Sequence, residues 1–288
     1  MFNVVIIKKI YITAIICGTL MLYSCGGSNN KDSEAETLLA DAKAQFDKAD
    51  YTQALVELDS LKSKYPTAIE TQKKAIHLRT LIDEKTTLDE IKANDSILYA
   101  ANRQKQSLEK DFTFIKTKDM VEGYHVLKSV SKRPLVQRTG IEARIDEQGR
   151  IYLITLLHGN AVKHTKISVS SSKGEEVFTN EVPYNGSTNY RFVNEGISDE
   201  MITFRSEQCD SLNQFVTANK DSSLKLNFIG KKRFSLPLSP ADKKMIADTY
   251  NYSNAIINGK KAESQKLYLD KKLEIAREQI KKTQPKQN

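Results

Sequence analysis

Tryptophan is absent from the 288 residues, and cysteine is confined to Cys17, Cys25 and Cys209. Two of those thiols belong to the N-terminal segment, so no disulfide framework can form and Cys209 has no intramolecular partner. No histidine stands near Cys209 in sequence to act as its base, which makes it a structural thiol. Glycine is missing from Ser28 through Glu122, while most of the twelve lie between Gly123 and Gly230. A glycine-free stretch reads as helix and a glycine-punctuated one as strands and turns, placing a boundary near residue 118. The glycines stand singly, never as GxGxxG or GxxxxGK, so no phosphate-cradling loop is expected. GxSxG, HExxH, HxH and CxxC are missing too, leaving no catalytic constellation, metal site or cofactor to predict. His158 and His164, either side of Gly159-Asn160, would need a third ligand that the sequence does not reveal. The net charge of +8 comes without a dense basic block, which excludes nucleic acid as the expected partner. Beyond the N-terminus no long apolar run occurs, and 39% hydrophobic with 28% charged residues excludes both a disordered and a multi-spanning chain.

What is present begins with Lys8 and Lys9 ahead of an apolar run over residues 10–22. That run is shorter than the roughly twenty residues a bilayer-spanning helix needs, and it suits a cleavable signal. Leu22-Tyr23-Ser24-Cys25 at its end resembles the lipobox of bacterial lipoproteins, with an apolar residue at Leu22, a small one at Ser24 and the acceptor Cys25. The resemblance implies a signal peptide over residues 1–24 and acylation of Cys25 by diacylglycerol and a third, palmitate-like chain. Stable anchoring takes about two chains, so such a cysteine would hold the protein on membrane lipid. Residues 25–36 read as a lipidated, flexible tether. Gly26 after the cysteine implies outer-membrane retention in the cell envelope, on the periplasmic or the surface face. The run Lys31-Asp32-Ser33-Glu34-Ala35-Glu36 is similar to the surface-export tethers of Bacteroidota lipoproteins; a solvated linker accounts for it as well.

Residues 37–117 read as helical. Leu38, Ala42 and Phe46, then Ala54, Leu58 and Leu61, recur at helical spacing around a turn at Ala49-Asp50-Tyr51, and Tyr65-Pro66 stops the second helix. This hairpin resembles a tetratricopeptide repeat: the small first-helix residue falls on Ala42, the turn aromatic on Tyr51, the small packing residue on Ala54, the large one on Leu58 and the terminal proline on Pro66. It departs from that pattern in having Ala49 where the turn glycine belongs, and residue 67 onward does not repeat it. From there to residue 116 the pattern predicts one long helix, interruptible at Thr86-Thr87, packed in a coiled-coil-like way on a partner helix.

Period-2 segments follow over residues 118–238, with turns at Gly149, Gly174 and Asn185-Gly186 and one inserted helix at Asp210–Ala218; they predict a β-sandwich or open barrel. Ser239-Pro240-Ala241-Asp242 opens a C-terminal helical segment, residues 239–283, divided at Asn258-Gly259 and followed by a tail at 284–288. Acidic excess in residues 31–70 and basic excess in residues 260–288 predict that this segment folds back on the N-terminal helices. The fold class expected is therefore α+β. Tyr184 and Tyr190, flanking a turn, are the candidate ligand contacts. Three functions stay open: a non-enzymatic lipoprotein whose sandwich binds a protein or glycan; a periplasm-facing scaffold working through its repeat-like helices; and an enzyme with an unrecognised site. Exposed sandwich aromatics favour the first, an apolar groove on residues 38–61 the second, and a histidine–carboxylate pocket the third.

Overall fold

The computed structural model describes residues 29–132 and 135–284; the lipobox residues Leu22, Tyr23, Ser24 and Cys25 lie outside them. The class is α+β, in two compact units. One unit comprises the described residues up to Asp83 together with those from Arg277, and the other is Glu84–Ala276. Among the described residues, no helix is long and apolar enough to cross a membrane.

The first unit is helical. It contains α1 (Asn29–Asp47), α2 (Tyr51–Lys64), the start of α3 (Ile69–Glu109) and the end of α6 (Pro240–Thr283). Ala42, Ala54, Leu58 and Leu61 meet Ala75, Leu78 and Ile82 in one apolar seam, so the opening of α3 covers the face that a lone hairpin would leave wet. The α1–α2 turn works without glycine because Ala49 adopts φ 60, and Asp50 caps α2 by accepting the Gln53 N–H at 3.0 Å. Tyr51 packs its ring 5.8 Å from that of Phe46 at the crossing, and Pro66 lies exposed in the turn after α2. At the other end of the unit, Thr283 meets His77 of α3, Oγ1 to Nδ1 at 3.0 Å, as expected of a returning C-terminal helix.

One boundary is corrected here. Helix α1 begins at Asn29, not at residue 37, so most of the expected tether is helical. Tertiary contacts carry the extra turns: Ala35 is fully buried, and the Tyr65 hydroxyl donates to Glu34 Oε2 at 2.7 Å.

The second unit holds a sandwich-like pair of antiparallel sheets. Its strands are β1 (Phe112–Ile115), β2 (Tyr124–Leu127), β3 (Gly140–Asp146), β4 (Ile151–His158), β5 (Lys166–Ser171), β6 (Glu176–Phe178), β7 (Asn189–Asn194), β8 (Ile197–Arg205), β9 (Leu224–Ile229) and β10 (Arg233–Pro237). Six form one sheet in the order β1-β2-β3-β4-β8-β7, and four the other, β10-β9-β5-β6. Two short helices, α4 (Lys128–Ser131) and α5 (Asp210–Ala218), belong to the same unit, as do the rest of α3 and of α6. Alternation puts Ile141, Ala143, Ile145, Leu153, Ile202 and Phe204 of the first sheet against Ile167, Val169, Leu226 and Phe228 of the second, in one core.

The helix-to-strand switch falls earlier than residue 118, since α3 ends at Glu109 and β1 starts at Phe112. Helices α3 and α6 are each unbroken, through Thr86-Thr87 and through Asn258-Gly259 respectively. Gly259 sits in the helix where it passes Ala101 and Asn102 of α3. Alongside, Asn94 Nδ2 donates to the Ala262 carbonyl at 2.9 Å, while Lys266 pairs with Asp95 and Lys272 with Glu90. In these two instances the cations expected to meet residues 31–70 meet carboxylates of α3 instead.

Candidate functional site

The β3–β4 turn is built by Asp146. Its carboxylate accepts the Arg150 backbone N–H and Nε, each at 2.8 Å, and Gly149 closes the turn at φ +90. Helix α6 crosses this turn closely: Ser253 Oγ donates to the Gly149 carbonyl at 2.7 Å, and a Cβ on Gly149 would come 2.4 Å from Ile256. At the end of β8 the chain turns sharply through Ser206–Gln208, with Ser206 at φ 28, and enters α5. Between the β3–β4 turn, the β8–α5 corner and α6 lies an open cleft of ≈ 910 Å³.

Tyr152 forms part of its wall. The Arg144 guanidinium lies 4.0 Å over the Tyr124 ring, and that of Arg205 lies 5.8 Å over Tyr152, so arginine and tyrosine alternate across β2, β3, β4 and β8. Burial pushes the Tyr152 phenol above its ordinary value against the opposing pull of Arg144, leaving a neutral hydroxyl that can donate and accept. Around it stand Arg205, Glu207, Asp210, Asn254 and Lys261. The side chains of Glu207, Asp210, Asn254 and Lys261 make no hydrogen bond or ion pair to another described residue. The cleft therefore offers unspent donors and acceptors around an aromatic side chain.

The two sequence-predicted contacts lie elsewhere. Tyr184 is 56% exposed with the Arg191 guanidinium 4.9 Å over its ring, while Tyr190 is half-buried, stacked on Phe192 at 5.9 Å and bonded through its hydroxyl to Met201 Sδ at 2.8 Å. Neither lines the cleft. Spacing alone could not find the cleft, because its walls come from separate segments spread between Asp146 and Lys261.

His158 and His164 do not converge. Asp199 and Glu200 are consecutive in β8 and project to opposite faces, and each takes one histidine. His158 Nδ1 meets Asp199 Oδ1 at 2.7 Å near the surface; His164 Nδ1 meets Glu200 Oε2 at 2.7 Å with both side chains almost wholly buried. Glu200 also accepts the backbone N–H of Lys163 at 2.5 Å and of His164 at 2.8 Å. Burial alone would raise this carboxyl, but the bonds from the His164 side chain and from these two amides outweigh it and hold Glu200 below the usual carboxylate range. Thr155 Oγ1 lies 3.3 Å from His164 Nε2, and Asn189 Nδ2 donates to the His164 carbonyl at 3.3 Å.

His125 is wedged between Phe114 and Tyr252, its ring 4.9 and 6.1 Å from theirs. Burial pushes the Cys209 thiol up to about 12, so it stays protonated and unreactive. No group of three or more histidines, cysteines or carboxylates is placed to hold a metal among the described residues. No family model, curated protein or solved structure matches the chain.

Proposed function

We propose that the chain is a non-enzymatic lipoprotein of a bacterial envelope, held on the outer membrane by acylated Cys25, whose sandwich binds a glycan in the cleft beside Tyr152. The observation that carries this reading is the set of uncommitted polar side chains around that ring: Glu207 and Asp210 accept, Lys261 donates, and Asn254 does both. Vicinal sugar hydroxyls each donate and accept, and a sugar's C–H face packs on an aromatic ring. The wall carries both signs of charge, which suits a largely neutral polyol better than a polyanion. Among the described residues no histidine lines the cleft, so it is not the histidine–carboxylate pocket that would favour the enzyme reading. The scaffolding reading draws less support, because Leu58 and Leu61 are consumed in the helical unit's own seam.

The test is a glycan-array screen of the purified chain, followed by calorimetric titration of the best binder. Glu207→Gln, Asp210→Asn and Asn254→Ala should each weaken binding roughly 3- to 30-fold, the worth of one hydrogen bond or somewhat more. In bacterial cells expressing the full chain, Cys25→Ala should move the protein from the membrane to the soluble fraction. Affinity indifferent to all three cleft variants would overturn the site, and a Cys25→Ala chain still on the membrane would overturn the anchor.

A further inference from the structure

The two sheets have four edge strands, and three of them are poor templates for another strand. Strand β6 has three residues, β1 has four, and β10 has five and ends in Pro237. The fourth, β7, runs for six residues, Asn-Tyr-Arg-Phe-Val-Asn, without proline or lysine.

Its hydrogen-bond polarity follows from its register. Thr203 donates to the Thr188 carbonyl, in line with the pairing Asn189↔Ile202, so residues 190, 192 and 194 turn their backbone groups toward β8. Asn189, Arg191 and Val193 turn theirs outward. Asn189 is already served, since its N–H reaches Asn185 Oδ1 and its carbonyl accepts from Asn185 and Gly186. For Arg191 and Val193 no described residue supplies an edge-side partner. Phe192 is 40% and Val193 70% exposed, and Tyr190 stacks beside Phe192 on the same face. Two amides, two carbonyls and a short aromatic stripe are thus left facing solvent.

We propose that β7 pairs antiparallel with β7 of a second copy of this chain about a two-fold axis at Phe192, joining two six-stranded sheets into one. The geometry is self-complementary. Arg191 then opposes Val193 of the other copy, and the two symmetric exchanges engage all four outward groups. Phe192 faces its own counterpart across the closely spaced, non-hydrogen-bonded site, flanked by both Tyr190 rings. The two Arg191 side chains are diagonal neighbours across the axis, and each is already engaged within its own copy, over the Tyr184 ring and, through Nη2, on the His164 carbonyl at 3.4 Å.

The test uses the full chain with disulfide trapping and sedimentation over on the order of 1 µM to 1 mM. Phe192→Cys places two sulfurs on Cα atoms about 4.5 Å apart, within bridging range, whereas Asn194→Cys opposes Tyr190 and is out of reach of its own copy. Oxidation should give a dimer with Phe192→Cys well above that of the unsubstituted chain, and none above it with Asn194→Cys. Val193→Pro removes only the outward N–H, leaving the β7–β8 ladder intact, and should weaken self-association roughly 10- to 30-fold with an unchanged circular dichroism spectrum. The inference fails if the chain stays monomeric throughout with Phe192→Cys no more cross-linked than the parent. Equal trapping at both cysteines, or a foreign polypeptide held at β7 in a Val193-dependent way, overturns it too.

Discussion

The seam of the helical unit contains alanines, leucines and an isoleucine, and an ion pair such as Arg79–Asp59 stays outside it. The sandwich encloses, besides its apolar core, the fully buried set His164, Thr155, Asn189 and Glu200. Backbone accounts for the contrast. A helix satisfies its own amides, so its seam needs nothing polar. In the sandwich the loop between β4 and β5 turns inward with Lys163 at φ 56, and it presses so close to Gly230 that a Cβ there would lie 2.3 Å from the Lys163 carbonyl. The Lys163 and His164 amides enter the interior with no strand beside them, and the Glu200 carboxylate is the acceptor that receives both. The buried charge is there to serve irregular backbone.

Removing that acceptor should break the contrast most strongly. Glu200→Ala leaves two buried amides and an imidazole without their partner and should cost about 3–5 kcal/mol, measured by denaturant unfolding. Acid should do part of the same work. Because Glu200 is held below its ordinary value when folded, its contribution is intact above about pH 4.3 and is lost as pH falls from there through the folded value. The Glu200→Gln chain should lose less stability than the parent over that window, and an identical acid profile for the two would remove the carboxylate from the explanation.

Leu61→Ala tests the other side. Its cavity should cost about 2–3 kcal/mol, toward the low end for such changes because small neighbours such as Ala42 and Ala54 let the helices close in, and the loss should not vary between pH 4 and 7. The smallest effect has the opposite sign. A Cβ at Gly259 meets nothing closer than Asn102 Oδ1 at 3.7 Å, so Gly259→Ala should stabilise α6 by about 0.5–1 kcal/mol, visible as a rise in Tm.

Much of this fold is legible in the sequence where one periodicity rules. Asp210–Ala218 was readable as a helix from Leu212, Phe215 and Val216, and β5, β9 and β10 from their alternation. The misreadings sit where tertiary contact overrides the local signal. Lys31-Asp32-Ser33-Glu34-Ala35-Glu36 looks like linker until Tyr65 and the burial of Ala35 fix it as helix. Asn258-Gly259 looks like a break, yet the glycine lies where α6 passes α3. The strand Phe112-Thr113-Phe114-Ile115 carries a period-2 pattern that the preceding helical stretch obscures. For the site, Tyr152 was legible only as a residue of a buried strand, and the pairing of each histidine with its acid spans 41 or 36 residues, which no local spacing encodes.

The neighbouring acids of β8 also settle how that strand can be threaded. Asp199 and Glu200 act like teeth cut on both sides of a key. Shifting the strand by one notch would swing Asp199 into the greasy interior and turn Glu200 to the opposite face, so both imidazoles would lose their mates in a single misstep. Hydrophobic alternation alone would penalise such a slip once, whereas here the error is charged from both faces together.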